Sequence, residues 1–317
     1  FGTFLVRMKQ FKIIGLMSGT SLDGLDIVYV NFIQNKNWKY EIINSKTYKY
    51  EKKWISFLKN ISKEKINSII KIDKDYTKLL SEYILKFINE FSIKEIDLIC
   101  SHGHTALHQP SNSLTYQIGN LPILAKYINQ KVVCDFRVQD IELGGQGAPL
   151  VPVGEEYLFS EYNTLINLGG FANITKRNKN NLIAYDICPI NIVFNYLSRE
   201  MELQYDDKGH IASTGKLNED LYNCLQTLNY YKLDPPKSLG IEWVNDQIHS
   251  ILKNFNNVPI KDLMNTFSNH FAFQIAKNIG EQDQVLITGG GAYNNYLIEG
   301  IKNLTNSKIT IPDSEII

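Results

Sequence analysis

Asp186 stands in the stretch Ala184-Tyr185-Asp186-Ile187-Cys188-Pro189-Ile190-Asn191, after an apolar run and before helical spacing. A carboxylate there has two uses. It can cap the helix, accepting backbone N–H groups that the first turn leaves unpaired, and spacing alone favours that reading. It can instead be a general base. Three glycine-rich turns offer a second kind of chemistry: Ser18-Gly19-Thr20-Ser21-Leu22-Asp23-Gly24, Asn167-Leu168-Gly169-Gly170-Phe171-Ala172-Asn173 and Thr288-Gly289-Gly290-Gly291-Ala292-Tyr293-Asn294. Glycine lets backbone N–H groups approach a ligand, so such turns cradle phosphates, although tight hairpins need glycine as well. In the first turn Asp23 is available to bind magnesium directly or through water. None of the three has the spacing of a P-loop or of a dinucleotide fingerprint.

Charge must be supplied to such a site locally. The 317 residues carry 33 basic and 33 acidic side chains, so no global field gathers a polyanion, and neither nucleic acid nor an acidic membrane surface is expected as a partner. Hydrophobic residues make up 44% and charged residues 21%, the balance of a soluble globular protein. Cys100, Cys134, Cys188 and Cys224 are widely separated, which argues against a zinc knuckle or disulfide framework and fits a reducing cytoplasm. The apolar N-terminal residues are too few for a membrane span, and residues 1–7 are left out of the functional reading, with Met8 taken as a start.

The elements that must position these residues follow from periodicity. Residues 13–17, 25–30 and 39–50 predict three successive antiparallel strands. Leu80, Ile84, Phe87, Ile88 and Phe91 recur at intervals that make one apolar helical stripe. Strands are expected at residues 96–100, 114–118 and 131–135, with a helix from about residue 122 for which Asn120 is the candidate cap. The second half repeats the plan: strands at 164–168, 172–176 and 182–186, then helices at 192–200 and 217–228. A long helix at 260–279 leads into a strand at 284–288, the third glycine turn and a last helix. Three strands followed by alternating helix and strand occur twice, which predicts two related α/β domains, residues 8–155 and 156–317, across a cleft.

In this order along the chain, MSGTSLDGLD, SHGHTALHQP, YQIGN, CDFRVQDIELGGQGAPLVP, NLGGFANIT, PPKSLG and GGGAYNNYL resemble the landmarks of the anhydro-N-acetylmuramic acid kinases. The resemblance implies an α/β, actin- and hexokinase-like fold of two ribonuclease H-like domains flanking an ATP cleft. It also implies a cytoplasmic, homodimeric enzyme of peptidoglycan recycling that uses ATP and magnesium. Such kinases open the anhydro bridge of their sugar with water and phosphorylate the released six-position oxygen; another anhydro-sugar such as levoglucosan, or an inactive nucleotide-binding relative, are the alternatives. Carried over by position, Ser18, Gly19, Thr20, Ser21 and Asp23 form the first phosphate turn, with Asp23 as the magnesium ligand. Gly169, Gly170 and Asn173 form the second, and Gly289, Gly290 and Gly291 the adenosine turn. Arg137, His102 and Gln146 are assigned to the substrate, although Arg137 also has Asp135 and Asp140 within reach of a structural ion pair.

Asp186 in DICPIN corresponds to the catalytic aspartate of a segment like DTGPGN, so the resemblance favours the base over the cap. Four positions depart from the pattern. His104 replaces a glutamine, Ile241 stands where arginine is more frequent, and Cys188 and Ile190 replace two glycines beside Asp186, where they are expected to reshape the wall of the sugar pocket. The resemblance also places a last helix, with a glutamate for magnesium and sugar, beyond Ile317. A metal on His102, His104 and His108 would need further converging ligands that spacing does not provide, so His102 is read as a hydrogen-bond donor to the sugar.

Overall fold

Leu25, Ile27 and Tyr29 alternate with more exposed neighbours along β2 (Leu25–Gln34), so one face of that strand joins the core while the backbone pairs on both edges. Its partners are β1 (Lys9–Met17) and β3 (Trp38–Tyr48), both antiparallel. On its other edge β1 pairs in parallel with β4 (Leu98–Ser101), which pairs in parallel with β7 (Val132–Val133). A separate hairpin joins β5 (His104–Gln109) to β6 (Leu114–Ile118). The computed structural model describes residues 8–19, 22, 24–109, 112–178, 181–235 and 237–313, in two units, Phe1–Leu158 and Phe159–Ile317.

In the first unit α1 (Lys52–Asn60) precedes α2 (Ile66–Glu90). The expected apolar stripe lies on α2, where Leu80, Ile84 and Phe87 are fully buried and the helix extends well to the N-terminal side of them. Burying each such side chain contributes roughly 1.5–3 kcal/mol. Also buried on that face are the polar residues Asp73, Tyr76, Thr77 and Ser81. Three short helices follow: α3 (Ile123–Ile128), α4 (Phe136–Glu142) and α5 (Val151–Leu158). Asn120 does not cap α3, whose N-cap is Pro122 without a side-chain bond.

In the second unit β8 (Thr164–Leu168), β9 (Phe171–Asn178) and β10 (Asn181–Pro189) form an antiparallel meander. β8 then pairs in parallel with β11 (Gln284–Thr288), and β11 with β12 (Lys308–Thr310). The helices are α6 (Asn191–Arg199), α7 (His210–Thr214), α8 (Glu219–Gln226), α9 (Ile241–Trp243), α10 (His249–Lys253), α11 (Ile260–Lys277) and α12 (Asn295–Asn303). A π-helical turn, Val244–Ile248, joins α9 to α10. Asp283 pins the central strands at their start, accepting from Asn163 Nδ2 (2.8 Å), Thr164 Oγ1 (2.6 Å) and Gly280 N (2.8 Å).

The two five-stranded sheets have the same order, β3-β2-β1-β4-β7 and β10-β9-β8-β11-β12, with the same pattern of antiparallel and parallel pairs. The chain is therefore an α/β protein of two ribonuclease H-like domains. Each has its own apolar core. Among the described residues no helix is long and apolar enough to cross a membrane.

Two buried histidines make stability depend on acid. His270 on α11 is fully buried and packs edge-on against Tyr231 at 5.0 Å, with no hydrogen-bond partner for either ring nitrogen among the described residues. Burial lowers its pKa to about 3. Burial, with His102 adding to it, lowers His104 to about 4. Each stays neutral in the native state while the unfolded chain takes up a proton near pH 6.5, so unfolding binds protons and stability falls as pH drops. Between pH 7 and 5, above the range of ordinary carboxylates, denaturant melts should lose up to about 1.4 kcal/mol per pH unit per histidine. His270→Phe should flatten that slope; an unchanged slope would assign the acid sensitivity elsewhere.

Candidate active site

β10 does not stop at Asp186. It continues to Pro189, with a register shift: Asp186 pairs with Asn173 and Cys188 with Ala172, leaving Ile187 as the extra residue of a bulge. α6 begins only after Ile190, its N-cap, and no side chain caps it. Its first amides are taken by the second glycine turn, with Ile190 N donating to Gly170 O (2.8 Å) and Asn191 N to Gly169 O (3.3 Å). Asp186 is thus not the helix cap that spacing suggested.

The Asp186 carboxylate is instead held from two sides. Oδ1 accepts from Asn173 Nδ2, and Oδ2 from Leu239 N at 2.7 Å. The backbone is fixed as well: Asp186 N donates to Lys237 O (3.1 Å), and Tyr230 Oη donates to Asp186 O (2.6 Å). The group is half-buried, and with one hydrogen bond on each oxygen a further lone pair on each can take a proton. Leu239 and Tyr230 had no role in the sequence reading. A backbone amide leaves no side-chain signature, although Leu239 lies within the PPKSLG landmark.

Cys188 and Ile190 do not face a pocket. Both are fully buried in the apolar core of the second unit, with Ile187, Val193 and Phe194. The expectation that they reshape a sugar pocket is corrected: the bulge turns four consecutive side chains inward, and substituting the two glycines fills core volume. Burial, followed by the nearby Asp186 charge, pushes the Cys188 thiol well above its ordinary pKa.

The glycines of the third turn differ in purpose. Gly289 has φ +81°, and a Cβ there would come within 3.0 Å of the Leu168 backbone; one on Gly291 would lie 2.7 Å from Leu168 Cβ. Those two let the end of β11 press against the end of β8. A Cβ on Gly290 or on Gly170 would meet nothing within 4 Å, so at these positions the backbone is open to a ligand. Gly169, by contrast, is close to the Asn167 side chain.

In the first unit Ser18 is buried, and its hydroxyl turns inward. Ser18 Oγ accepts from Tyr50 Oη (2.8 Å), which is 2.6 Å from Tyr76 Oη, and is 2.9 Å from His104 Nδ1. That chain anchors the root of the first glycine turn, with Gly19 just beyond it half-buried. Thr20, Ser21 and Asp23 lie outside the described residues.

Arg137 lies in the first turn of α4. Its Nε donates to His102 Nε2 (2.8 Å) and its Nη1 to Gly147 O (2.6 Å). His102 Nδ1 donates to Gly103 O (2.8 Å), so the tautomer with an unprotonated Nε2 satisfies both bonds. Burial chiefly, and the Arg137 charge, lower the His102 pKa and favour that neutral ring. His102 therefore orients Arg137 and has no ring N–H left for a sugar. Among the described residues Arg137 pairs with neither Asp135 nor Asp140, leaving its remaining guanidinium donors without a carboxylate. Gln146 is exposed beside Gly147, whose amide donates to Asp140 Oδ2 (2.7 Å). His108 Nδ1 lies 3.2 Å from Thr115 Oγ1, and among the described residues no group of three His, Cys, Asp or Glu side chains is placed to hold a metal.

The profile of the family described as "Anhydro-N-acetylmuramic acid kinase" matches residues 11–315. A relative of that name from Bacillus cereus (strain ATCC 10987 / NRS 248) is 32% identical, over 94% of this chain and 85% of its own. Another, from Bacillus thuringiensis (strain Al Hakam), is 31% identical over 93% and 84%. Among solved structures, the activator of the 2-hydroxyisocaproyl-CoA dehydratase from Clostridium difficile with bound ADPNP aligns over 97% of this chain and 89% of its own, at 14% identity and a TM-score of 0.43. Profile and relatives agree across nearly the full length: the chain belongs to the anhydro-N-acetylmuramic acid kinase family and is an ATP-dependent sugar kinase.

Proposed function

We propose that the protein uses ATP and water to open the 1,6-anhydro ring of anhydro-N-acetylmuramic acid and phosphorylate its six-position oxygen, giving N-acetylmuramic acid 6-phosphate. The observation that carries this reading is the Asp186 carboxylate, freed from capping by the β10 bulge and aimed by Asn173 and Leu239. In the proposed step Asp186 takes a proton from water as the water oxygen bonds to the anomeric carbon. The bond from that carbon to the bridging oxygen breaks, and the released oxygen attacks the γ-phosphorus. ATP, when bound, supplies the phosphoryl group, and ADP leaves. General base catalysis of this kind typically supplies about 10²–10⁴ in rate.

The open backbone at Gly170 and Gly290 fits a nucleotide, with Gly169, Gly289 and Gly291 shaping the turns around it. Gly19, Thr20 and Ser21 are proposed to meet phosphate, and Asp23 to hold magnesium; a metal held mainly by phosphates and water needs only one or two protein carboxylates. Arg137, oriented by His102, is proposed to bind an anionic group of the substrate, with Gln146 beside it. A cytoplasmic role in peptidoglycan recycling and a homodimeric state belong to the same proposal. The inactive-relative reading loses its motivation once Cys188 and Ile190 are in the core.

Turnover of the anhydro-sugar in heavy-oxygen water should place label on the anomeric hydroxyl of a six-phosphate product. A phosphorylated product with its bridge intact would reject the coupling of hydrolysis to transfer. Asp186→Asn should fold, because Asn Oδ1 can accept from Leu239 N while a flipped Asn173 amide accepts from the new Nδ2. Its turnover should fall about 10²–10⁴-fold with ATP affinity and melting temperature little changed; near-parental activity would remove Asp186 as base. Arg137→Ala should raise the KM for the sugar and lower kcat, together about 10–100-fold in kcat/KM, while leaving the KM for ATP in place. Unchanged sugar kinetics would leave Arg137 as a structural residue.

A further inference from the structure

Asp73 is a carboxylate buried on α2 at 1% exposure, and among the described residues it has no basic partner. What it has is three donors. Oδ2 accepts from Tyr116 Oη (2.6 Å), and Oδ1 accepts from Thr77 Oγ1 (3.1 Å) and from Gly119 N (2.6 Å). A buried charge without a counter-ion persists only when hydrogen bonds satisfy it, so this place in the helix is committed to holding those groups. Gly119 is pressed against the same helix: its φ is +96°, and a Cβ there would lie 2.5 Å from Leu80 Cδ1 and 2.9 Å from Tyr76 Cδ1.

The residue after Gly119 is Asn120, whose amide serves other partners than a helix. Asn120 Oδ1 accepts from Ser101 Oγ (2.8 Å), and Nδ2 lies 3.3 Å from His102 O and 3.4 Å from Asp135 Oδ1. His102 is the acceptor for Arg137 Nε, and Asp135 is the N-cap position of the helix that carries Arg137. A Cβ on Gly103 would fall 2.9 Å from Asn120 Nδ2, so the glycine between the two histidines leaves room for this amide.

We propose that Asp73 is a positioning residue for the His102–Arg137 pair, acting through the Gly119–Asn120 turn. Its carboxylate fixes the Gly119 amide, the turn fixes the Asn120 side chain, and Asn120 fixes both the His102 backbone and the start of α4. The kinetic consequence rests on the reading of Arg137 as a substrate anchor; the structural one does not.

The test uses the full chain with 15N-labelled histidine, the His102 signals being assigned by their loss in His102→Gln. In the parent, His102 should show a single tautomer with protonated Nδ1. Asp73→Ala and Asn120→Ala should each move the His102 nitrogens toward tautomer averaging while those of His104, held by Ser18, stay in place. Asp73→Asn keeps an acceptor for Gly119 N and should retain the parental signals. In kinetics, Asp73→Ala and Asn120→Ala should each raise the KM for the anhydro-sugar about 10-fold, with the KM for ATP within twofold, and the double variant should be no worse than the single ones. His102 signals unmoved in Asp73→Ala, or sugar and ATP constants rising together, would overturn the proposal. Should Asp73→Ala not fold, Asn120→Ala decides, because it leaves the helix intact; unmoved His102 signals there overturn the proposal too. A parent protein inactive on every anhydro-sugar would reject the proposed function alone, and the histidine spectra would still decide the role of Asp73.

Discussion

Parallel register between the first and fourth strands of each sheet is the constraint on which the rest depends. In the first unit Leu16 pairs with Ser101, so the first glycine turn leaves the sheet beside the His102–His104 segment, and His102 N donates to Leu16 O (3.2 Å). In the second unit Thr288 pairs with Asn167, which puts the second and third glycine turns side by side at the carboxyl ends of parallel strands. Open α/β sheets bind their ligands at such ends, because the backbone groups there have no further strand to pair with. Shifting either register by one residue would separate these turns and flip every core side chain of the strand.

Around that constraint the polar interior is organised by α2. A helix whose buried face were purely apolar would pack as well, yet this one buries Asp73 and Tyr76 with their partners satisfied. Tyr76 reaches Ser18 through Tyr50, and Asp73 reaches Asn120 through Gly119. Each polar group offsets its own desolvation by hydrogen bonding, and the net gain over an apolar pair is small. The return is in position. Two loops are located by directional bonds to one rigid element.

Much of this was legible in the sequence. The repeated run of three antiparallel strands followed by alternating helix and strand was readable, the α2 stripe followed from three- and four-residue spacing, and helices were expected where α6, α8, α11 and α12 lie, because one buried face imposes its period. β5 was not legible: His104 and Ala106, small or polar, are its buried residues, so no apolar alternation marks it. Asn120 before Leu121 and Pro122 has the appearance of a cap, and only the fold reveals that its amide is spent on Ser101, His102 and Asp135. Of the candidate site, residue types were readable and partners were not. The Arg137 bond to His102 and the Leu239 amide on Asp186 join chain segments far apart in sequence, which local spacing cannot bring together.

The bulge in β10 has a consequence for how this sequence can vary. A regular strand couples its two faces, since each residue gained or lost on one side displaces the other. Here Ile187 absorbs that coupling: Asp186 on one side of it keeps its polar partners, while Ile187, Cys188 and Ile190 are buried in the core. Segments on the two sides of the bulge can therefore drift independently under mutation. Bulky side chains at 188 and 190 are thus housed by the interior, while the neighbouring carboxylate takes its hydrogen bonds from Asn173 and Leu239.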